Sequence, residues 1–487
     1  VNKLRELFSD TLIYGISSVF ARFINYLLVP LHTGVFNTAQ YGIMGLVYAA
    51  IAFLNVLFTF GMESAYLRYA ENREQAPHVF KTLQTGLLIF ASLLCLLLYF
   101  LMPILLPVMS LSADLAPIYL MMLGILWFDT LSIVPMAELR LTRRAWLYAS
   151  LKTLNVIINI ALNFYLILGL GMGIEAVFLA NLAASFVMTI LVWMFTAELL
   201  KGSFKKEWIK TAFSFGWPFV PSGIGFVINE MLDRFLLNAM DPANAQRLYG
   251  PDITPEDVVG IYNACYKLAV FMLLLVQMYR MAWQPFFMRH AGDGDAKHLF
   301  GQAFIWYNAF SAMLFMAVAL FREQIVAIPI PGTEATLIDS NYWAGLDIVP
   351  FLLLAYWFHG WYINFSSGVF IKEKTRVLYK ITLMGAGITI IANIILIPFY
   401  GMIGSAAATL LSYGTMATTL GIYSKKIMDV PYKLPESFGL MLVVAGLIFA
   451  EPVLQQAVSG EFLAKGVLLF AGAIVTSIYA WRLIRFD

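Results

Sequence analysis

The chain has 487 residues, of which 61% are hydrophobic and 12% charged. A soluble domain carries about 45–50% apolar and roughly 25% charged residues, so this composition excludes a soluble globular enzyme, a disordered chain and a nucleic-acid binder. With 31 Lys+Arg against 29 Asp+Glu the formal net charge is +2, and any functional charge has to be local.

A membrane-spanning helix needs about 20 mostly apolar residues. Runs of that size predict spans over 10–32, 41–63, 80–103, 116–138, 151–170, 174–198, 211–237, 258–284, 299–322, 346–370, 380–398, 402–424, 437–451 and 462–482, so the expected fold is an all-α integral membrane protein with 14 transmembrane helices. In the first span Thr11, Gly15, Ser18, Arg22 and Asn25 step by three or four and form one polar stripe. That polar middle and the length set it apart from a cleaved signal peptide. Tyr48, Asn55, Thr59 and Glu63 repeat the pattern in the second span, and Asp129 lies thirteen residues into the fourth. The seventh opens FGWPFVPSGIG, where Pro218 and Pro221 each remove a backbone donor, which predicts a broken helix and a candidate hinge; simple kinking is the alternative. Its far end carries Glu230, Asp233 and Arg234. The eighth sets Asn263, Lys267 and Gln277 close to one line and holds Arg280, and the tenth holds His359. The two cysteines, Cys95 and Cys265, sit inside apolar runs as packing residues.

The distribution of Lys and Arg orients the spans. With the N-terminal side taken as cytoplasmic, 24 of 31 fall on that side, Lys152 among them, and only Arg247, Arg322 and Lys465 fall opposite. Both termini are therefore expected in the cytoplasm. The longer outer connections, 238–257 and 323–345, read as solvated loops, the second with Tyr342 and Trp343 suited to the outer interface.

The chain also repeats itself. NFYLILGLGMGIEA (Asn163 to Ala176) aligns without gaps on NIILIPFYGMIGSA (Asn393 to Ala406) at an offset of 230, which also pairs Asp129 with His359. YGIMGLVY (Tyr41 to Tyr48) aligns on VGIYNACY (Val259 to Tyr266) at an offset of 218. An even-numbered repeat predicts two six-helix lobes related by a pseudo-twofold along the membrane normal: an N-lobe over 1–198, a cytoplasmic linker over 199–210, a C-lobe over 211–424, and two C-terminal helices over 425–487. Transporters built from such repeats hold substrate near the midplane and rock one lobe against the other.

Ionisable groups in a bilayer core are costly and read as functional by default. Arg22, Asp129, Lys267 and His359 all fall near mid-span, whereas Glu63, Glu230, Asp233, Arg234 and Arg280 sit nearer span ends, where they can snorkel. Polar stripes face a cavity or a partner helix, which predicts a wet vestibule with a positive midplane balance, suited to a phosphate or pyrophosphate. Arg22, Lys267, Arg234, Arg280, Asn25 and Asn263 are the expected substrate-binding set. Asp129, His359, Glu63, Glu230 and Asp233 are the ion-coupling or gating candidates. A buried structural pair is the competing reading for Arg22 with Asp129, and for Glu230 with Arg234 at i,i+4. No Gly-rich phosphate loop, HExxH or acid/base pair on an aqueous domain is present. An enzyme, a metal site, a cofactor and an ATPase motor are therefore not expected.

GMESAYLRYA (Gly61 to Ala70), PFVPSG (Pro218 to Gly223), DRFLL (Asp233 to Leu237), VGIYNACYKLA (Val259 to Ala269) and the run from Asn393 to Thr409 together resemble the polysaccharide-transport branch of the multidrug/oligosaccharidyl-lipid/polysaccharide (MOP) superfamily, the branch of the Wzx-type O-antigen flippases. The resemblance spans essentially the whole chain. It implies a MATE/MurJ-like, 14-helix, two-lobed protein of the bacterial inner membrane. Such a protein moves an undecaprenyl-diphosphate-linked oligosaccharide, an O-antigen or other surface polysaccharide unit, from the cytoplasmic to the periplasmic leaflet by alternating access. The implied partners are that lipid-linked glycan, membrane lipids, a coupling proton or sodium ion and a polysaccharide polymerase. A lipid II flippase shares the cationic cavity and stays open as an alternative. A multidrug or cation antiporter of the same superfamily fits the positive balance less well, and a glycan polymerase or ligase would need a larger outer loop.

Overall fold

The computed structural model describes residues 26–109, 111–331, 333–457 and 460–485. Arg22, Asn25 and most of the first expected span lie outside the described residues. The chain divides into two compact units, a first holding 26–239 with Thr254–Gly260 and a second holding Met240–Ile253 with 261 onward.

The first unit contains α1 (Leu28–Val35), α2 (Thr38–Thr59), α3 (Met62–Tyr69), α4 (Ala76–Val108), α5 (Ala116–Leu141), α6 (Ala145–Phe164), α7 (Glu175–Thr196), α8 (Lys206–Gly216) and α9 (Phe219–Asn238). Asn37 and Gln40 start α2 as a capping box: the Asn37 side chain accepts from the Gln40 N–H at 2.8 Å, and the Gln40 side chain accepts from the Asn37 N–H at 3.2 Å. The helix stops where Phe60 and Gly61 turn left-handed, with φ of 44° and 69°. A second break lies against this one. α8 and α9 are bent by 41° across Trp217 and Pro218, and a Cβ on Gly216 would collide with the Phe60 carbonyl oxygen. Two interrupted helices thus cross at their interruptions, which only glycine permits at that spacing.

A second close crossing joins the start of α2 to Thr254–Gly260, the part of the long helix α11 (Pro255–His290) that belongs to the first unit. A Cβ on Gly42 would strike the Glu256 carbonyl oxygen, and a Cβ on Gly260 would strike the Thr38 carbonyl oxygen. Gly42 and Gly260, like Thr38 and Glu256, are repeat equivalents at the offset of 218. The contact is therefore reciprocal, as a local twofold requires. Thr38 also donates its hydroxyl proton to Asp257.

At one end of the unit Arg73 forks onto Glu138 at 2.6 and 3.0 Å, and Tyr66 donates to the same carboxylate at 2.8 Å. Glu138 is buried, and its bonds raise the Arg73 pKa above the ordinary guanidinium value. This fork ties the 70–75 connection to the last turns of α5, over a core of Met62, Tyr66, Phe80, Leu83 and Val134.

The second unit adds α10 (Pro242–Tyr249), most of α11, α12 (Ala296–Leu320), α13 (Arg322–Val326), α14 (Val349–Ile371), α15 (Arg376–Ile427), α16 (Leu434–Phe449), α17 (Glu451–Ala457) and α18 (Glu461–Arg485). The eleventh and twelfth expected spans form the single 52-residue helix α15, interrupted at Gly401 (φ 52°, ψ −124°). Its repeat equivalent Gly171, between α6 and α7, also has positive φ, 65°. Asn163 and Asn393, eight residues earlier in each copy, are both fully buried and both donate to the carbonyl four residues back, at 2.8 and 2.7 Å. The sequence repeat is therefore a repeat of backbone conformation. Tyr249 reinforces the interruption by accepting the Met402 N–H at 2.7 Å, and burial holds its phenol above the ordinary pKa, hence neutral.

Among the described residues ten helices are long and apolar enough to cross a membrane, or eleven with the bent α8–α9 pair counted as one span. α15 covers two of the expected spans, and α16 is a shorter apolar helix of 16 residues. No strand forms among the described residues beyond an isolated bridge between Pro329 and Thr336. Leu93, Phe100 and Ile104 of α4 are 61–69% exposed, the pattern of a helix whose outer face meets lipid. The chain is a multi-pass membrane protein of all-α fold.

Candidate functional site

The first unit contains a polar chamber of about 490 Å³, within the range of ligand pockets. Helical periodicity builds it. Asn55, Thr59 and Glu63 follow one face of α2 and carry it across the Phe60–Gly61 break into α3. Asp129, Ser132 and Met136 come from α5, Tyr148, Lys152 and Asn155 from α6, and Asn181, Ser185 and Met188 from α7. Steps of three and four residues in each case put one stripe of side chains toward the cavity.

Asp129 is exposed to this space, and the groups acting on its carboxylate are the Ser185 hydroxyl and the Lys152 ammonium. Glu63 pairs with Arg140 across α3 and α5. Asn181 donates to the Tyr48 hydroxyl at 3.4 Å, which brings the last member of the expected second-span stripe to the same wall. Among the described residues no hydrogen bond engages the Asn55 or Asn155 side chain, so their amides are available to a ligand.

Of the other expected residues, Glu230, Asp233 and Arg234 are buried on α9 rather than snorkelling. Arg234 donates to Asp233 and to the Glu230 main-chain carbonyl, both at 2.5 Å. Sequence spacing emphasises the i,i+4 pair, but burial brings the adjacent Asp233 carboxylate onto the same guanidinium. Pro218 and Pro221 flank or follow the α8–α9 break, Pro218 standing as the cap residue of α9.

In the second unit Asn263 and Lys267 are half-buried and Arg280 is exposed, all on α11. His359 on α14 is buried and stacked on Tyr413, with ring centroids 4.8 Å apart and planes at 7°. Its Nδ1 is buried without a hydrogen-bond partner, and Arg280 lies close enough for its charge to act on the ring. The repeat equivalents Asp129 and His359 thus occupy different surroundings, an open polar cavity and an aromatic stack.

Sequence reasoning passed over Lys152, Asn155, Asn181 and Ser185. Lys152 reads as one more basic flank of a span. The available signal was the spacing of Tyr148, Lys152 and Asn155, a polar stripe on the fifth span matched by Asn181 and Ser185 on the sixth. Also unforeseen is the cluster that holds the C-terminal helices to the second unit. Lys465, 1% exposed, reaches Glu461 at 2.6 Å, Glu451 at 3.2 Å and Glu323 at 3.5 Å, and Arg322 lies 3.6 Å from both Glu451 and Asp347. All three basic residues expected on the outer side are engaged structurally, Arg247 donating to the Pro398 carbonyl at 2.8 Å.

Residues 7–290 match the family described as polysaccharide biosynthesis protein. No curated protein matches the chain. Among solved structures the chain is similar to the lipid II flippase MurJ in an inward closed conformation, with a TM-score of 0.72 at 15% identity over 97% of this chain and 99% of that one. It is similar to the inward-facing conformation of a multidrug resistance MATE family transporter of the MOP superfamily, with a TM-score of 0.63 at 17% identity over 86% of this chain and 97% of that one. A MOP superfamily transporter from Pyrococcus furiosus gives a TM-score of 0.55 at 16% identity over 87% and 95%.

Proposed function

Because the chain belongs to the polysaccharide biosynthesis protein family, we infer that it is a flippase for an undecaprenyl-diphosphate-linked oligosaccharide, carrying it from the cytoplasmic to the periplasmic leaflet of a bacterial inner membrane by alternating access. In this reading both termini are cytoplasmic and the two repeat halves, 1–198 and 211–424, are the moving lobes. The observation that carries the reading is the family match over residues 7–290, with Lys267 and Arg280 placed in an apolar 36-residue helix. Ionisable groups in such a helix read as functional by default, and a diphosphate is the anion such a lipid brings. Arg22, Arg234, Asn25 and Asn263 complete the set expected from the sequence. Asp129 or His359 couples the step to a proton or sodium gradient.

The test is translocation of the undecaprenyl-diphosphate oligosaccharide in proteoliposomes holding the full chain. Lys267→Ala and Arg280→Ala each lower the initial rate by at least about tenfold, the loss expected when one charge-assisted bond to a phosphate is removed. Asp129→Asn removes the dependence on an imposed ion gradient. Rates at the unaltered level in both cation variants would refute the reading.

A further inference from the structure

The two repeats treat the same place in the fold differently. At the offset of 230, Lys152, Asn155, Asn181 and Ser185 correspond to Thr382, Gly385, Leu411 and Thr415. In the second unit the positions equivalent to Asn155 and Asp129, Gly385 and His359, are buried and packed. A Cβ on Gly385 would collide with Met416, Ser412 donates to the Gly385 carbonyl at 3.0 Å, and His359 closes the layer by stacking on Tyr413. The two halves therefore differ at these two equivalent positions, open in the first unit and packed in the second. A cavity lined by polar groups persists where water or a ligand completes their hydrogen bonds.

The lining identifies the ligand class. Three amides from three different helices (Asn55, Asn155, Asn181) face the cavity together with the Ser185 hydroxyl. Each amide offers two donors and an acceptor, the complement of a sugar hydroxyl or an N-acetyl group. The charges nearly cancel: Asp129 stands by Lys152, and Glu63 is held by Arg140. A diphosphate would find no net positive charge here, whereas neutral, hydroxyl-rich rings need none. Tyr148 supplies an aromatic surface on the same wall.

We propose that the polar chamber of the first unit is a glycan-reading subsite that takes sugar rings of the lipid-linked oligosaccharide. The inference rests on the flippase reading above and adds which part of the substrate this chamber recognises. It makes Asn155 and Asn181 specificity residues, sensitive to the glycan and blind to the lipid anchor.

Binding to the full chain in nanodiscs tests this with two probes: the lipid-linked oligosaccharide purified from host cells lacking the protein, and bare undecaprenyl diphosphate. Asn155→Ala and Asn181→Leu, the latter installing the residue type of the second repeat, each weaken the glycan-bearing lipid by about tenfold, as loss of a buried hydrogen bond does. Neither changes the affinity for bare undecaprenyl diphosphate, while Lys267→Ala weakens both probes. Equal effects of the chamber variants on the two probes, or no effect on either, would overturn the subsite while leaving the flippase reading standing. If the unaltered chain bound neither probe, the flippase reading itself would fall.

Discussion

The reciprocal contact of Gly42 and Gly260 makes a quantitative prediction. Replacing either by alanine puts a methyl group into a backbone carbonyl oxygen, Glu256 in one case and Thr38 in the other. Backbone cannot rotate away as a side chain can, so the helices must part. Overpacking of this kind costs about 3 kcal/mol, the upper part of the usual range. Alanine returns about 1 kcal/mol of helix propensity relative to glycine, which leaves a net loss of about 2 kcal/mol for each variant. Because the two contacts are related by a local twofold, the losses should be equal. The double variant should cost well below the sum, since one widened gap accommodates both methyl groups and the sites are coupled. The assay is unfolding in mixed micelles followed by tryptophan fluorescence, with Gly439→Ala as the control, because a Cβ there meets nothing within 4 Å. Strictly additive losses, or single losses differing by more than twofold, would refute the reasoning.

Tyr249→Phe removes the acceptor for the Met402 N–H and should cost about 1 kcal/mol in the same assay. Gly401→Ala, which forces a side chain into a left-handed turn already occupied by the Tyr249 hydroxyl, should cost more than Tyr249→Phe and be partly relieved by it. Lys465→Met leaves Glu451, 6% exposed, without its nearest cation. Loss of one partner of a buried pair costs about 3–5 kcal/mol; the exposure of Glu323 and Glu461 lowers the expectation to about 2 kcal/mol. Limited proteolysis should show α16–α18 becoming more accessible in that variant, and an unchanged digest would exclude the clamp.

The succession of apolar helices, the repeat and the positions of the breaks were legible in the residues. Asn163 and Asn393 aligned as letters and prove to make the same buried bond; Gly171 and Gly401 aligned and prove to share positive φ. The pair Pro218 and Pro221 announced the bent seventh span. These features are local: periodicity, missing backbone donors and glycine conformations act within a few residues of chain. Lys152 illustrates what was not legible. Its charge near a span end satisfied the rule for cytoplasmic flanks, and nothing within its own helix shows that it stands by Asp129 of α5.

The amino-acid order thus determined that this chain crosses a membrane many times, that it does so in two related halves, and which helix faces are polar. Only the tertiary structure decided which polar faces meet. It brought stripes from α2, α5, α6 and α7 around one chamber, and in the other half packed the equivalents of Asn155 and Asp129 against Met416 and Tyr413. The physical reason is that a helix fixes the direction of its own side chains, while the filling or opening of the space beyond them depends on the volumes contributed by neighbours distant in the chain.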